Sequence, residues 1–121
     1  MKELAAAQEA DETDETDEAD EAAVATVVIP SALAGFAGGR SQIPVALDGR
    51  QERPRLPLSA VLDELRREVP ALERRIRDER GAVRGHVNIY LDGVDIRELA
   101  GVGTVVVPGA TVQIIAAVSG G

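Results

Sequence analysis

The chain has 121 residues, room for one domain with one modest core. It has no cysteine, which excludes disulfides and makes the cytoplasm the expected location. No run approaches the ~20 apolar residues of a membrane helix, and the start MKELAAAQEADET lacks the apolar centre of a secretory signal. The net charge of −8 is lopsided: residues 1–24 hold ten acidic residues against one Lys, whereas residues 25–121 hold 11 against 12 basic ones. A segment that acidic repels nucleic acid, so neither nucleic acid nor membrane is an expected partner.

In chain order, residues 1–22 come first. Their run DETDETDEADEA repeats acidic residues in steps of three and offers nothing apolar to bury, which predicts a disordered acidic tail. It lacks the central Gly and ligand spacing of a calcium loop. A folded domain is expected over 23–121. The β-branched run from Ala23, closed by Pro30, predicts a strand. Gly35, Gly38 and Gly39 predict a turn, and Ser41–Leu47 a second strand completing a hairpin. Pro44 places that strand at a sheet edge. A loose connection over Asp48–Pro57 follows.

The clearest helix starts at Ser59, whose hydroxyl is the expected N-cap. Leu58, Val61, Leu62, Leu65 and Val69 recur at spacings of three and four and form one apolar face. Pro70 stops this helix. Leu72 and Ile76 predict another short helical turn, opening an Arg-rich stretch from Arg74 to Arg84. Mixed with Glu73, Asp78 and Glu79, that stretch reads first as a solvated helix face and second as a cradle for phosphate or an acidic partner. Val87, Ile89 and Leu91 alternate with Asn88 and Tyr90 in a further strand, and Asp92-Gly93 predicts a tight turn into a return strand from Val94 to Ile96. After a loop, a short strand and a turn at Pro108-Gly109, the last strand runs from Thr111 to Val118, with Val112, Ile114, Ala116 and Val118 on one face. One helix on one side of a mixed sheet gives an α+β layer.

Catalytic constellations are missing. His86 is the only histidine and stands at a strand edge without a nucleophile beside it. GFAGGR lacks the Lys-Ser/Thr of a phosphate loop. With one His and no Cys, no metal site is expected. The expectation is therefore a chain that is no enzyme and binds no stable cofactor.

What remains is the terminus, AAVSGG. A strand feeds Ser119, Gly120 and Gly121 with no charged residue between. Glycines without side chains can thread a narrow active site and take whatever backbone shape it requires. Four extended residues from Val118 reach ~13 Å beyond the fold. That length presents the Gly121 carboxylate to a pocket in another protein.

The stretch VNIYLDGVDIRELAGVGTVVVPGATVQIIAAVSGG, with Asp92-Gly93, Ile96 and Leu99, Pro108-Gly109 and the final Gly120-Gly121, resembles the MoaD/ThiS family of ubiquitin-like sulfur carriers. Upstream, TVVIPSAL with Gly38-Gly39 and the helix LSAVLDELRREVPAL are similar to that family's first hairpin and helix, so the resemblance covers residues 24–121. It implies an α+β ubiquitin-like β-grasp fold, a mixed sheet packed on one main helix. It also implies a protein co-substrate whose Gly121 is adenylated by an E1-like enzyme of the MoeB/ThiF type using ATP. A thiocarboxylate formed there would pass sulfur to an acceptor enzyme in cofactor or cysteine biosynthesis, as the small subunit of molybdopterin synthase does. Gly120, Ser119 and Val118 would form the arm, with Ile115 and Ala117 at its base meeting the partner. The full VNIYLDG strand looks more like the molybdopterin and cysteine carriers than the shorter thiazole ones. The turn Gly109-Ala110-Thr111, Ser119 and Ala116-Ala117 depart from the family pattern. Two alternatives use the same residues differently: a modifier joined to lysines through Gly121, or a plain interaction module acting through its acidic tail.

Overall fold

The computed structural model describes residues 23–47 and 55–116. The expected disordered tail, residues 48–54 of the connection expected over Asp48–Pro57, and residues 117–121 with Ala117, Val118, Ser119, Gly120 and Gly121 lie outside the described residues. The end of that connection, Leu56–Pro57, is not loose but a short strand paired with Val105–Val106. Seven strands and three helices make up the rest: β1 (Val24–Val28), α1 (Ser31–Ala34), β2 (Gln42–Ala46), β3 (Leu56–Pro57), α2 (Leu58–Glu68), α3 (Pro70–Ile76), β4 (Val87–Leu91), β5 (Val94–Asp95), β6 (Val105–Val106) and β7 (Thr111–Ala116). The main sheet has the order β2-β1-β7-β4-β5, and β3 pairs with β6 in a small second sheet.

β1 and β2 form the expected antiparallel hairpin, with Thr26 opposite Pro44. Pro44 does lie on an edge strand, where its missing N–H leaves no ladder bond unmade. The connection between the two strands is more than a glycine turn. Ser31–Ala34 is helical and Gly35–Ala37 continues as a 3-10 turn, anchored by the buried side chains of Leu33 and Ala37. Glycine is needed only at the exit, where Gly38 and Gly39 take φ of +67° and +88°.

β7 is the last strand in sequence and the middle one in space. It runs parallel to β1, with Thr26 opposite Thr111 and Val28 opposite Gln113. On its other flank it runs antiparallel to β4 along its whole length, from Val87–Ala116 to Leu91–Val112. Each strand's alternation sorts its side chains: Ala25, Val27, Ile43, Val45, Val87, Ile89, Leu91, Val112 and Ile114 are buried on one face of the sheet.

Against that face packs α2, through Leu58, Val61, Leu62 and Leu65, all 0% exposed. Burying each such side chain contributes roughly 1.5–3 kcal/mol, so this stripe carries much of the helix–sheet attraction. The helix begins one residue earlier than expected. Pro57 is the extended N-cap residue, Leu58 is the first helical residue, and no side chain caps the end. Ser59 is therefore inside the helix and is not the cap. The free Leu58 N–H instead donates to the Thr104 carbonyl at 2.8 Å, a partner that β3–β6 pairing brings alongside. Pro70 does end α2, and it also starts α3, where the lost N–H would have been unpaired anyway.

The Asp92-Gly93 turn joins β4 to β5 with φ of +49° and +89°, the two left-handed residues of a type I′ turn. The return strand stops at Asp95. Ile96 opens a 3-10 turn, which Asp95 caps by accepting from the Arg97 N–H at 2.8 Å. A parallel central pair, two flanking hairpins and a helix laid across one face make a ubiquitin-like β-grasp.

Candidate functional site

The arm's root is set by β7. Its last described residue, Ala116, is half-buried opposite Val87, and Ile115 is opposite Asn88. Ile115 is 40% exposed, on the sheet face away from α2, in the same row as Thr111 and Gln113. Beside that row stand Asn88 and Tyr90 of β4 and Val28 of β1, all half-buried. Of the sequence-derived site residues, Ile115 is the one within the described residues, and it is where a partner approaching the arm across the open sheet face can touch it. The start of β7 is equally fixed. Asp92 donates its N–H to the Thr111 carbonyl and accepts from the Thr111 N–H, both at 2.9 Å, and the Gly109 N–H donates to the Val24 carbonyl at 2.9 Å. A strand paired with β1 as far as Gln113 and with β4 as far as Ala116 therefore leads into residues 117–121.

A second feature lies around the same end of the sheet. Phe36, Ala71, Arg74, Arg75, Arg84 and His86 line a surface concavity of about 390 Å³. Three separate segments build it: the 3-10 turn after α1, the exposed side of α3, and the approach to β4. The Arg75 guanidinium stacks on the Phe36 ring, 4.4 Å from its centroid. Arg84 is held by its backbone N–H on the Ile76 carbonyl and by its Nε on the Arg74 carbonyl at 2.8 Å, near the C-terminal end of α3, where a cation is favoured. His86 directly precedes Val87, the residue paired with Ala116, so the concavity borders the arm's root.

The Arg-rich stretch is thus only partly the solvated face expected from sequence. Arg74 and Arg75 are exposed, but Glu73 is 3% and Arg77 5% exposed. Arg77 Nε donates to Glu73, and its Nη2 donates to Asp63 of α2 at 2.8 Å, locking α3 onto α2. Burial lowers the Arg77 pKa, but its hydrogen bonds to Asp63 and Glu73 outweigh that and leave it above its ordinary value. A signal for this was present, because Glu73 and Arg77 follow Leu72 and Ile76 by one position at the same i, i+4 spacing. Nothing in sequence pointed to Phe36 joining the arginines.

Among the described residues no group of three or more His, Asp or Glu is placed to hold a metal ion. No helix there is long and apolar enough to cross a membrane.

Comparison with known proteins agrees with this geometry. Residues 44–121 match the ThiS family. The sulfur carrier protein CysO of Mycobacterium tuberculosis is 31% identical over 98 residues, covering 79% of this chain and 97% of that protein. Its crystal structure superposes with a TM-score of 0.63 at 28% identity over 78% of this chain and 99% of the other. SAMP1 of Haloferax volcanii gives 0.65 at 26% identity, covering 81% and 99%. The small archaeal modifier protein 1 of Methanosarcina acetivorans gives 0.63 at 28%, covering 82% and 97%. A parallel β1–β7 pair under one main helix, matched in sequence across the whole second half of the chain, makes this chain a member of the ThiS family.

Proposed function

We propose that the chain is a sulfur carrier, a protein co-substrate that performs no catalysis itself and works through the main-chain carboxylate of Gly121. The observation that carries this reading is the family match running through Gly121, on a domain whose central strand leads into that arm. The likeness to CysO over nearly all of that protein's length supports it.

A carboxylate is a poor electrophile. In the reading proposed, an E1-like enzyme of the MoeB/ThiF type transfers AMP from ATP to the Gly121 carboxylate, releasing pyrophosphate. A sulfide-level donor then attacks the carbonyl carbon, AMP leaves, and a thiocarboxylate remains. Gly121 has no Cβ, so the carbonyl is open to that attack. An acceptor enzyme takes the sulfur into cysteine or cofactor biosynthesis and returns the carboxylate. No cofactor stays on the carrier. Val118, Ser119 and Gly120 give the arm its reach, and Ile115 with Ala117 meets the partner at its base.

The test is mass spectrometry of the protein recovered from its native host, together with charging in vitro by ATP and a cognate activating enzyme. The expected product is a species ~16 Da heavier, oxygen exchanged for sulfur at Gly121. Deleting Gly121, or adding a residue after it, is expected to abolish charging. Normal sulfur transfer by either variant overturns the reading.

The two SAMP1 structures favour a second use of the same activated carboxylate, attachment to lysines. The chain's single lysine is Lys2. Conjugation would appear as higher-mass species linked through Gly121, and chains of the protein on itself would need Lys2 or the N-terminal amine. Lysates free of such species under sulfur-replete and sulfur-starved growth remove this use.

A further inference from the structure

We infer that the basic concavity of Arg74, Arg75 and Arg84, beside the end of β7, is a docking site for the part of this chain's own acidic run that can reach it, residues 11–17.

The first ground is charge left over. Among the described residues, Arg66 and Arg77 are committed to Asp63, Arg67 to Glu64, Arg77 also to Glu73, and Arg97 to Asp95, whereas Arg40, Arg55 and Arg80 stand apart from the concavity. Among the described residues Arg74, Arg75 and Arg84 have no ion-pair partner, and no carboxylate lines the concavity they share with Phe36, although Arg74 and Arg84 also border an adjoining one lined by Glu73, Asp78 and Glu79. Asp78 is near enough to feel Arg84, but it forms no ion pair with it, and its Oδ1 accepts from the N–H groups of Arg80 and Ala82. The second ground is preorganisation. Stacking on Phe36 holds Arg75, and the Arg74 carbonyl holds Arg84, so their remaining N–H groups are offered with little left to order.

The acidic run complements this face in sign and holds carboxylates enough for its three guanidinium groups. Residues 11–21 carry eight carboxylates and no basic residue. They are joined to the domain at Ala23, next to β1, which keeps their local concentration in the millimolar range for a short tether. Ala23 lies at the far end of β1 from Phe36, and crossing the length of that strand takes roughly 20 Å. Chain extends at most ~3.3–3.6 Å per residue, so every residue from Asp17 toward the N-terminus can reach the concavity. Glu21 and Asp20 cannot, which leaves the run's middle and far portions as the docking part. Contacts between exposed charges weaken once the Debye length falls from ~10 Å at 0.1 M salt to ~3 Å at 1 M, so the docking is salt-labile. Whatever else binds beside the arm's root must displace the run.

The absence of cysteine makes the test clean. A nitroxide on Thr16→Cys in the full chain is read by the line broadening it causes across the ¹⁵N spectrum. At low salt, severalfold stronger broadening is expected at Arg84, Gly85, His86 and the side-chain Nε–H groups of Arg74 and Arg75 than at Arg67 or Glu98. Salt at about 0.5 M removes the difference. The triple variant Arg74→Glu, Arg75→Glu, Arg84→Glu removes it too, and changing the eight carboxylates of the run to Lys in that background restores it. The salt titration uses an unaltered face, so it stands if the triple variant misfolds. Uniform broadening, broadening that survives salt or the triple variant, or broadening that appears only on mixing spin-labelled chain with ¹⁵N chain overturns same-chain docking. None of these readouts involves Gly121, so the docking and the sulfur chemistry fail separately.

Discussion

Replacing Arg77 with Met tests the joint between the two helices. The substitution keeps the stem that packs between α2 and α3 and removes only the charge. Glu73, at 3% exposure, then loses the cation it is ion-paired with among the described residues, and Asp63, about half exposed, loses its second arginine. Breaking a buried pair on one side costs about 3–5 kcal/mol, and the exposed Asp63 contact adds less than about 1. Neutralising an ordinary glutamate at pH 7 costs about 3.7 kcal/mol, which places a ceiling on the charge part of the penalty. A loss of about 3–4 kcal/mol corresponds to a fall in Tm of roughly 15–20 °C for a domain near 100 residues. Thermal unfolding followed by far-ultraviolet circular dichroism reads this directly. A companion sharpens the result. The double variant Arg77→Met, Glu73→Leu regains most of the stability, because an apolar pair leaves no buried charge behind. A fall below about 3 °C for the single variant, or a double variant no more stable than the single one, refutes the reasoning.

Other outcomes follow from the same structure. Leu62→Ala, at a site 0% exposed beneath the sheet, is expected to lose about 2–5 kcal/mol by urea unfolding. Asp92→Ala removes the acceptor for the Thr111 N–H and strains a φ of +49°, so a loss of about 1–2 kcal/mol is expected, with Asp92→Asn milder. Hydrogen bonds from the Ala82 and Arg80 N–H groups hold Asp78 below the usual carboxylate range, and those from the Arg97 side chain and N–H do the same for Asp95. Both folded values lie under the unfolded ones. Their contribution is therefore complete above about pH 4 and is lost as pH falls through the folded values, and Asp78→Asn with Asp95→Asn flattens that acid limb in urea midpoints. Ile115→Arg is expected to leave stability within about 0.5 kcal/mol while slowing charging by the activating enzyme at least several-fold; an unchanged rate removes Ile115 from the docking surface.

Local rules carried the strands and failed where distant chain segments decide. Val87, Ile89 and Leu91 alternate because one side of a strand is wet, and Pro44 reads as an edge because it cannot donate; neither inference needs a neighbour's identity. Ser59 satisfies the local rule for a cap but loses to the Thr104 carbonyl, which lies 45 residues further on and is delivered by β3–β6 pairing. Glu73 looked solvated because charge runs usually are. It is buried because Arg77 one turn later and Asp63 on the preceding helix close over it. The arm's last glycines were legible from spelling alone, whereas the basic concavity beside its root was not. Phe36 is nearly 40 residues away from Arg74 and meets the arginines only after α1 turns the hairpin back.

The position of β7 has a consequence for how the protein is made. Its parallel partner β1 precedes it by about 85 residues, and the sheet has no centre until β7 arrives. A ribosome releases the chain N-terminus first at roughly 5–20 residues per second, so β1, the hairpin and all three helices emerge before the strand that unites them. Half-finished or prematurely terminated chains expose an open groove where β7 belongs and have no scaffold for a tail. A finished sheet with β7 at its centre is therefore the precondition of the role proposed for Gly121, and a chain cut short of β7 could not take it up.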